Sequence, residues 1–71
     1  SNQNVEAYNA LLQGNFHYNR RTADDVRKAI SYYEQALQLD PRYALAYAKL
    51  SYSAESLDTR FGVLRRKKKQ S

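Results

Sequence analysis

Few residues in this sequence are of the kind that carries out chemistry. The single histidine, His17, sits beside Asn15, Tyr18 and Asn19. General base work needs a nucleophile or an orienting carboxylate within reach, and neither stands at close spacing, so His17 reads as a hairpin histidine. The pair Asp24-Asp25 has the donor type of a metal site, but Thr22 precedes it and capping of a helix accounts for all three residues. Asp58-Thr59 has no partner. With no cysteine there is no disulfide or thiolate zinc site, and one histidine cannot complete one. The expectation is a protein without catalytic, cofactor-binding or metal residues, and not an enzyme.

Two other features could bind rather than react. Five of the twelve basic residues form one run, Arg65, Arg66, Lys67, Lys68 and Lys69. Without it the net charge of +5 falls to zero, so the charge belongs to the tail at 63–71 and not to the fold. Such a run attracts nucleic-acid phosphates or an anionic surface, with an affinity that falls steeply with salt. Seven tyrosines invite base stacking. Tyr8, Tyr33 and Tyr47 fall on apolar stripes and read as packing rings, and the rest are too scattered for a platform.

The elements behind these residues are helical. In the 71-residue chain, Val5, Tyr8, Leu11, Leu12 and Phe16 make one apolar stripe, predicting a first helix over 5–19. Gly14 inside it costs roughly 1 kcal/mol against alanine, so either a second backbone passes close by, which is the favoured reading, or the helix ends early. Ala29, Ile30, Tyr33 and Leu37 give a second helix from Ala23 to Leu39, capped by Thr22 and stopped at Asp40-Pro41. A third, with Asp40 as its cap and Pro41 in its first turn, carries Tyr47, Leu50, Ala54 and Leu57 and stops at Gly62. The predicted organisation is a disordered start or tag remnant at 1–4, a helical module at 5–62 and the basic tail. No apolar run is long enough to span a membrane, and a cytoplasmic location is expected.

The spacing Ala29-x3-Tyr33-x2-Ala36-x4-Pro41 and the segment Tyr47-x2-Leu50-Ser51 resemble the tetratricopeptide repeat family over positions 5–57. Ala7-Tyr8-x2-Leu11 also returns as Ala46-Tyr47-x2-Leu50, thirty-nine residues on, which places five extra residues over the usual period in the first hairpin. The stretch KAISYYEQALQLDPRYALAYAKLS is similar to repeats attached to bacterial adenylate cyclases and winged-helix transcription regulators. The resemblance implies an all-α solenoid fragment of three antiparallel helices, about one and a half repeats, without catalysis. Leu12 departs from the small residue of the pattern, and the lysine–asparagine clamp for a peptide carboxylate is incomplete, so no clamp is expected.

What the family implies is a protein or peptide partner on a concave face, here Asn9, Gln13, Leu45, Lys49 and Tyr52. The function expected is that of a non-catalytic interaction module of a larger signalling or regulatory protein, with nucleic-acid or anionic-surface binding through the tail as the alternative. A third helix without its following partner leaves Tyr47, Leu50, Ala54 and Leu57 uncovered, and a homodimer through that stripe is expected.

Overall fold

The computed structural model describes residues 2–62 as three helices, α1 (Asn2–Tyr18), α2 (Ala23–Leu39) and α3 (Ala44–Phe61), with no strand among them. The all-α fold is as expected, and α2 has the expected bounds. At its start the Thr22 hydroxyl accepts from the Asp25 backbone N–H at 3.0 Å, and Asp24 and Asp25 sit at the positive dipole end. Its last bond runs from the Asp40 N–H to the Ala36 carbonyl at 2.9 Å, and Pro41 has no N–H to continue the series. Gly62 closes α3 in the left-handed region at φ 70°, donating to the Asp58 carbonyl at 2.8 Å.

Two boundaries differ from expectation. Asn2, Gln3 and Asn4 belong to α1 rather than to an unstructured start. Asp40 does not cap α3: its carboxylate accepts from the Arg42 N–H at 3.2 Å and its carbonyl from the Tyr43 N–H at 3.0 Å. Those bonds fold Asp40–Tyr43 into a turn, leaving Pro41 outside the helix and Tyr43 as the residue before it. The five extra residues of the first hairpin do not make a long loop either. Helix α1 runs on to Tyr18, and the turn that follows is closed by Arg21 in the left-handed region at φ 63°.

Packing puts α2 between the other two. Ala7, Ala10, Leu11 and Gly14 of α1 meet Ala29, Tyr33 and Ala36 of α2, and α3 contributes Ala46, Ser53 and Ser56 from the other side. The thirty-nine-residue echo is visible here, since Ala7, Leu11 and Gly14 have Ala46, Leu50 and Ser53 as counterparts on the face toward α2. Nearly every buried side chain is small, so the helices approach closely and one ring, Tyr33, fills the centre. Helix α1 also touches α3 directly, where the Tyr18 hydroxyl donates to Ser56 Oγ at 3.3 Å.

The larger apolar residues of α1 are not in this core. Val5, Tyr8, Leu12 and Phe16 are exposed, and so is Tyr47 of α3. Of the three tyrosines expected to be packing rings, Tyr33 is one and Tyr8 and Tyr47 are not. Sterics decide this: the Tyr33 ring lies against Gly14, and a bulky stripe turned inward could not make room for it.

Candidate functional site

All three helices contribute to a groove of about 340 Å³ lined by Asn15, Tyr18, Asn19, Tyr33, Lys49, Tyr52 and Ser53. Asn15 lies in the last turn of α1 and Asn19 just beyond it, Tyr33 comes from α2, and Lys49, Tyr52 and Ser53 fall within one turn of α3. The Tyr33 hydroxyl donates to Asn15 Oδ1 at 2.7 Å, which fixes that amide with its NH₂ group left as a donor. Tyr18 and Tyr52 rings meet with centroids 5.9 Å apart, bracing the wall. No carboxylate lines the groove, and Lys49 has no ion-pair partner among the described residues. Such a surface offers hydrogen-bond donors, one cation and an exposed ring. It can hold a polar or acidic chain.

Of the five concave-face residues expected from the sequence, the structure brings together two. Lys49 and Tyr52 share the groove, whereas Asn9 and Gln13 lie with Glu6, Tyr32 and Gln35 in a separate depression of about 500 Å³ between α1 and α2. Leu45 is exposed and lines neither. Sequence reasoning missed Asn15 and Asn19. The signal was slight, two amides spaced four apart at a helix end, and it is Tyr33 of α2 with the approach of α3 that builds a groove beside them. On the expected dimer stripe, Tyr47 is exposed while Leu50, Ala54 and Leu57 are half-buried. Arg65, Arg66, Lys67, Lys68 and Lys69 lie outside the described residues.

Comparison of the chain with protein-family models, curated proteins and solved structures gives no match. The functional reading therefore rests on the residues themselves. Among those described, no group of three or more histidine, cysteine or acidic side chains is placed to hold a metal ion, and no helix is long and apolar enough to cross a membrane.

A second polar cluster closes the α1–α2 turn, and it corrects the reading of His17 as a histidine without a carboxylate. His17 Nδ1 lies 3.0 Å from Asp25 Oδ1, and Asp25 Oδ2 accepts from Arg20 Nε at 3.3 Å and from Thr22 Oγ1 at 2.8 Å. The imidazole stacks on Tyr32 with centroids 5.4 Å apart and planes 6° from parallel. Eight residues separate His17 from Asp25 in sequence, and the turn folds one back onto the other. The hydrogen bonds from His17, then Thr22, and the Arg20 charge hold the Asp25 carboxyl down at about 2, from an ordinary 3.8.

A carboxyl whose folded value is lowered contributes stability that is complete above its unfolded value and disappears as pH falls through the folded one. The contribution from Asp25 is therefore expected to vanish between about pH 4 and about pH 2. Urea unfolding across that range should show wild type losing more stability than Asp25→Asn, whose curve lacks this component. Parallel curves would remove the cluster from the account of acid sensitivity.

Proposed function

We propose that this chain is a non-catalytic protein-interaction module of tetratricopeptide type, working in the cytoplasm as part of a larger signalling or regulatory protein, and that it takes a peptide in the groove between α1 and α3. The observation that carries the reading is the groove itself. Donors from Asn15 and Lys49 and the exposed ring of Tyr52 converge there from separate helices over a buried tyrosine floor. A peptide backbone supplies carbonyl acceptors for the amide and the ammonium, and an apolar side chain supplies a partner for the ring. Catalysis has no support in this arrangement, since the one hydrogen bond among the side chains lining the groove ties the Tyr33 hydroxyl to an amide, Asn15.

The test is selection of binders from a random-peptide display library, using the whole chain as bait. Selected peptides are expected to lose at least about tenfold in affinity, roughly 1.4 kcal/mol, with Tyr52→Ala and with Lys49→Glu. Deleting residues 65–71 should leave their affinity unchanged. Failure to select any peptide, together with binding of nucleic acid or anionic vesicles that the deletion abolishes, would instead make the chain a charge-driven binder acting through its tail.

A further inference from the structure

A further depression, of about 510 Å³, lies beside the α1–α2 turn, lined by His17 of α1 and by Lys28, Ser31, Tyr32 and Gln35 of α2. The four α2 residues stand at i, i+3, i+4 and i+7, so they share one face of that helix next to the imidazole. Each brings a hydrogen-bond donor: an ammonium, two hydroxyls and an amide NH₂ group. No carboxylate lines the depression, and Lys28 has no ion-pair partner among the described residues. The nearby acids are turned elsewhere. Asp24 faces Arg27 at 3.5 Å, Asp25 is held by His17, Arg20 and Thr22, and Glu6 lies in the adjoining depression with Asn9 and Gln13. A cation and several donors without a competing carboxylate suit an anion.

The imidazole decides which anion. Asp25, with its carboxyl held down at about 2, is ionised at neutral pH and can only accept. His17 Nδ1, 3.0 Å from it, therefore carries the proton of the neutral ring, and Nε2 keeps a lone pair. Stacking on Tyr32 and the edge contact with Phe16 hold the ring in that orientation. An anion without a proton, such as sulfate, meets a lone pair at Nε2 and binds well only if the ring first takes up a proton. A phosphate that keeps one proton can donate it to Nε2, while its other oxygens accept from Lys28, Ser31 and Gln35. A phosphate monoester loses that proton near pH 6, within the range where histidine changes charge. The two groups can then share one proton, either as ester O–H with neutral imidazole or as dianion with imidazolium.

We propose that the depression formed by His17, Lys28, Ser31 and Gln35 binds a phosphate monoester, with one proton held jointly by His17 Nε2 and the phosphoryl group. Its volume is that of a small-ligand site rather than of a single ion, which leaves room for the organic part of the ester along Tyr32 and Gln35. The site shares no residue with the groove that holds Lys49, so it stands whether or not that groove takes a peptide.

His17 is the only histidine, so its Cε1–H gives one imidazole resonance, and phosphate gathered by the basic run at 65–69 does not register there. Titrating the whole chain with inorganic phosphate at constant pH and ionic strength should move that resonance to saturation, with a dissociation constant on the order of 1 mM. Lys28→Gln should weaken binding at least about tenfold with helical circular dichroism unchanged, because Lys28 is exposed. Lys49→Gln should leave it as in wild type. Around the ring stand Asp25 and Arg20 at the turn and Lys28 and Tyr32 on α2, and histidine is the residue type among these that changes charge between about pH 5 and about pH 8. Raising the pH from about 6 to about 8 should therefore weaken sulfate binding at least about tenfold, and that of inorganic phosphate, which still carries a proton, much less. O-phosphoserine should bind more tightly than inorganic phosphate at about pH 6. A resonance that drifts without saturating, an unchanged affinity in Lys28→Gln, or the same pH dependence for sulfate and phosphate overturns the site. O-phosphoserine binding no more tightly than inorganic phosphate overturns the ester.

Discussion

Gly14→Val is expected to unfold the protein at 37 °C, and Gly14→Ala to lower its stability by about 1–2 kcal/mol. A Cβ at position 14 would stand 2.4 Å from Tyr33 Cε1, 2.7 Å from Cδ1 and 2.9 Å from Cζ, far inside van der Waals contact. The ring cannot swing aside easily. It is buried among the alanines of α2 and α1, and its hydroxyl is tied to Asn15. Helix propensity acts the other way, because alanine is better than glycine in a helix interior by roughly 1 kcal/mol. Overpacking of a tight core costs typically about 1–3 kcal/mol, so for alanine the two effects compete and packing wins narrowly. Valine adds two more carbons and recovers less propensity, so its balance is worse. In a chain of this size, total stability is a few kcal/mol and there is little to lose. Thermal melts by circular dichroism decide the sign. A Gly14→Ala protein that melts higher than wild type would show that the ring has room after all. If the clash is the cause, Gly14→Ala should cost much less in a Tyr33→Leu background than in wild type.

That contact also explains how far the sequence could be read. Helix α2 was legible to the residue because its ends are marked by local chemistry, with a threonine cap at one and a proline at the other. Gly14 announced a close approach, since a helix-interior glycine is disfavoured unless something needs the space. The burial of α1 was legible only at Leu11. The helix has apolar residues on two arcs, and the stripe of Val5, Tyr8, Leu11, Leu12 and Phe16 read from the sequence falls mostly on the arc with the larger side chains. The buried arc is the one with Ala7, Ala10, Leu11 and Gly14, because α2 brings the bulk and α1 must supply the gap. Local patterns record what a residue is, not which neighbour arrives with a ring. Asp40 failed for a related reason. Its side chain accepts from the Arg42 N–H inside the turn rather than from an N–H of α3. The groove and the His17–Asp25 cluster depend on residues from different elements, so Lys49 and Tyr52 were visible as surface candidates but Asn15 and Asn19 were not.

Tyr33→Ala should be the most damaging single change in the core, costing about 3–5 kcal/mol, whereas Tyr33→Phe should cost only about 1 kcal/mol. The difference separates the ring from its hydroxyl. Tyr33 is the largest fully buried side chain, and its removal leaves a cavity among alanines that cannot reach across to close it. Phenylalanine keeps the ring and loses one hydrogen bond of 2.7 Å, leaving Asn15 free to turn toward water in the groove. Alkali tests the same burial independently. Desolvation, with the nearby Tyr18 as a lesser cause, pushes the Tyr33 phenol from 10.0 up to about 12. A phenol with a raised folded value stabilises the fold fully below its unfolded value and ceases to as pH climbs through the folded one. Stability should therefore decline between about pH 10 and about pH 12, and tyrosinate absorbance should show one phenol ionising together with loss of helix. In Tyr33→Phe that late component should be missing, so its alkaline decline should be shallower even though the protein starts less stable. An equally steep decline in both proteins would mean that the ring is packed but its hydroxyl is reached by water, and the groove floor would then be wetter than its geometry implies.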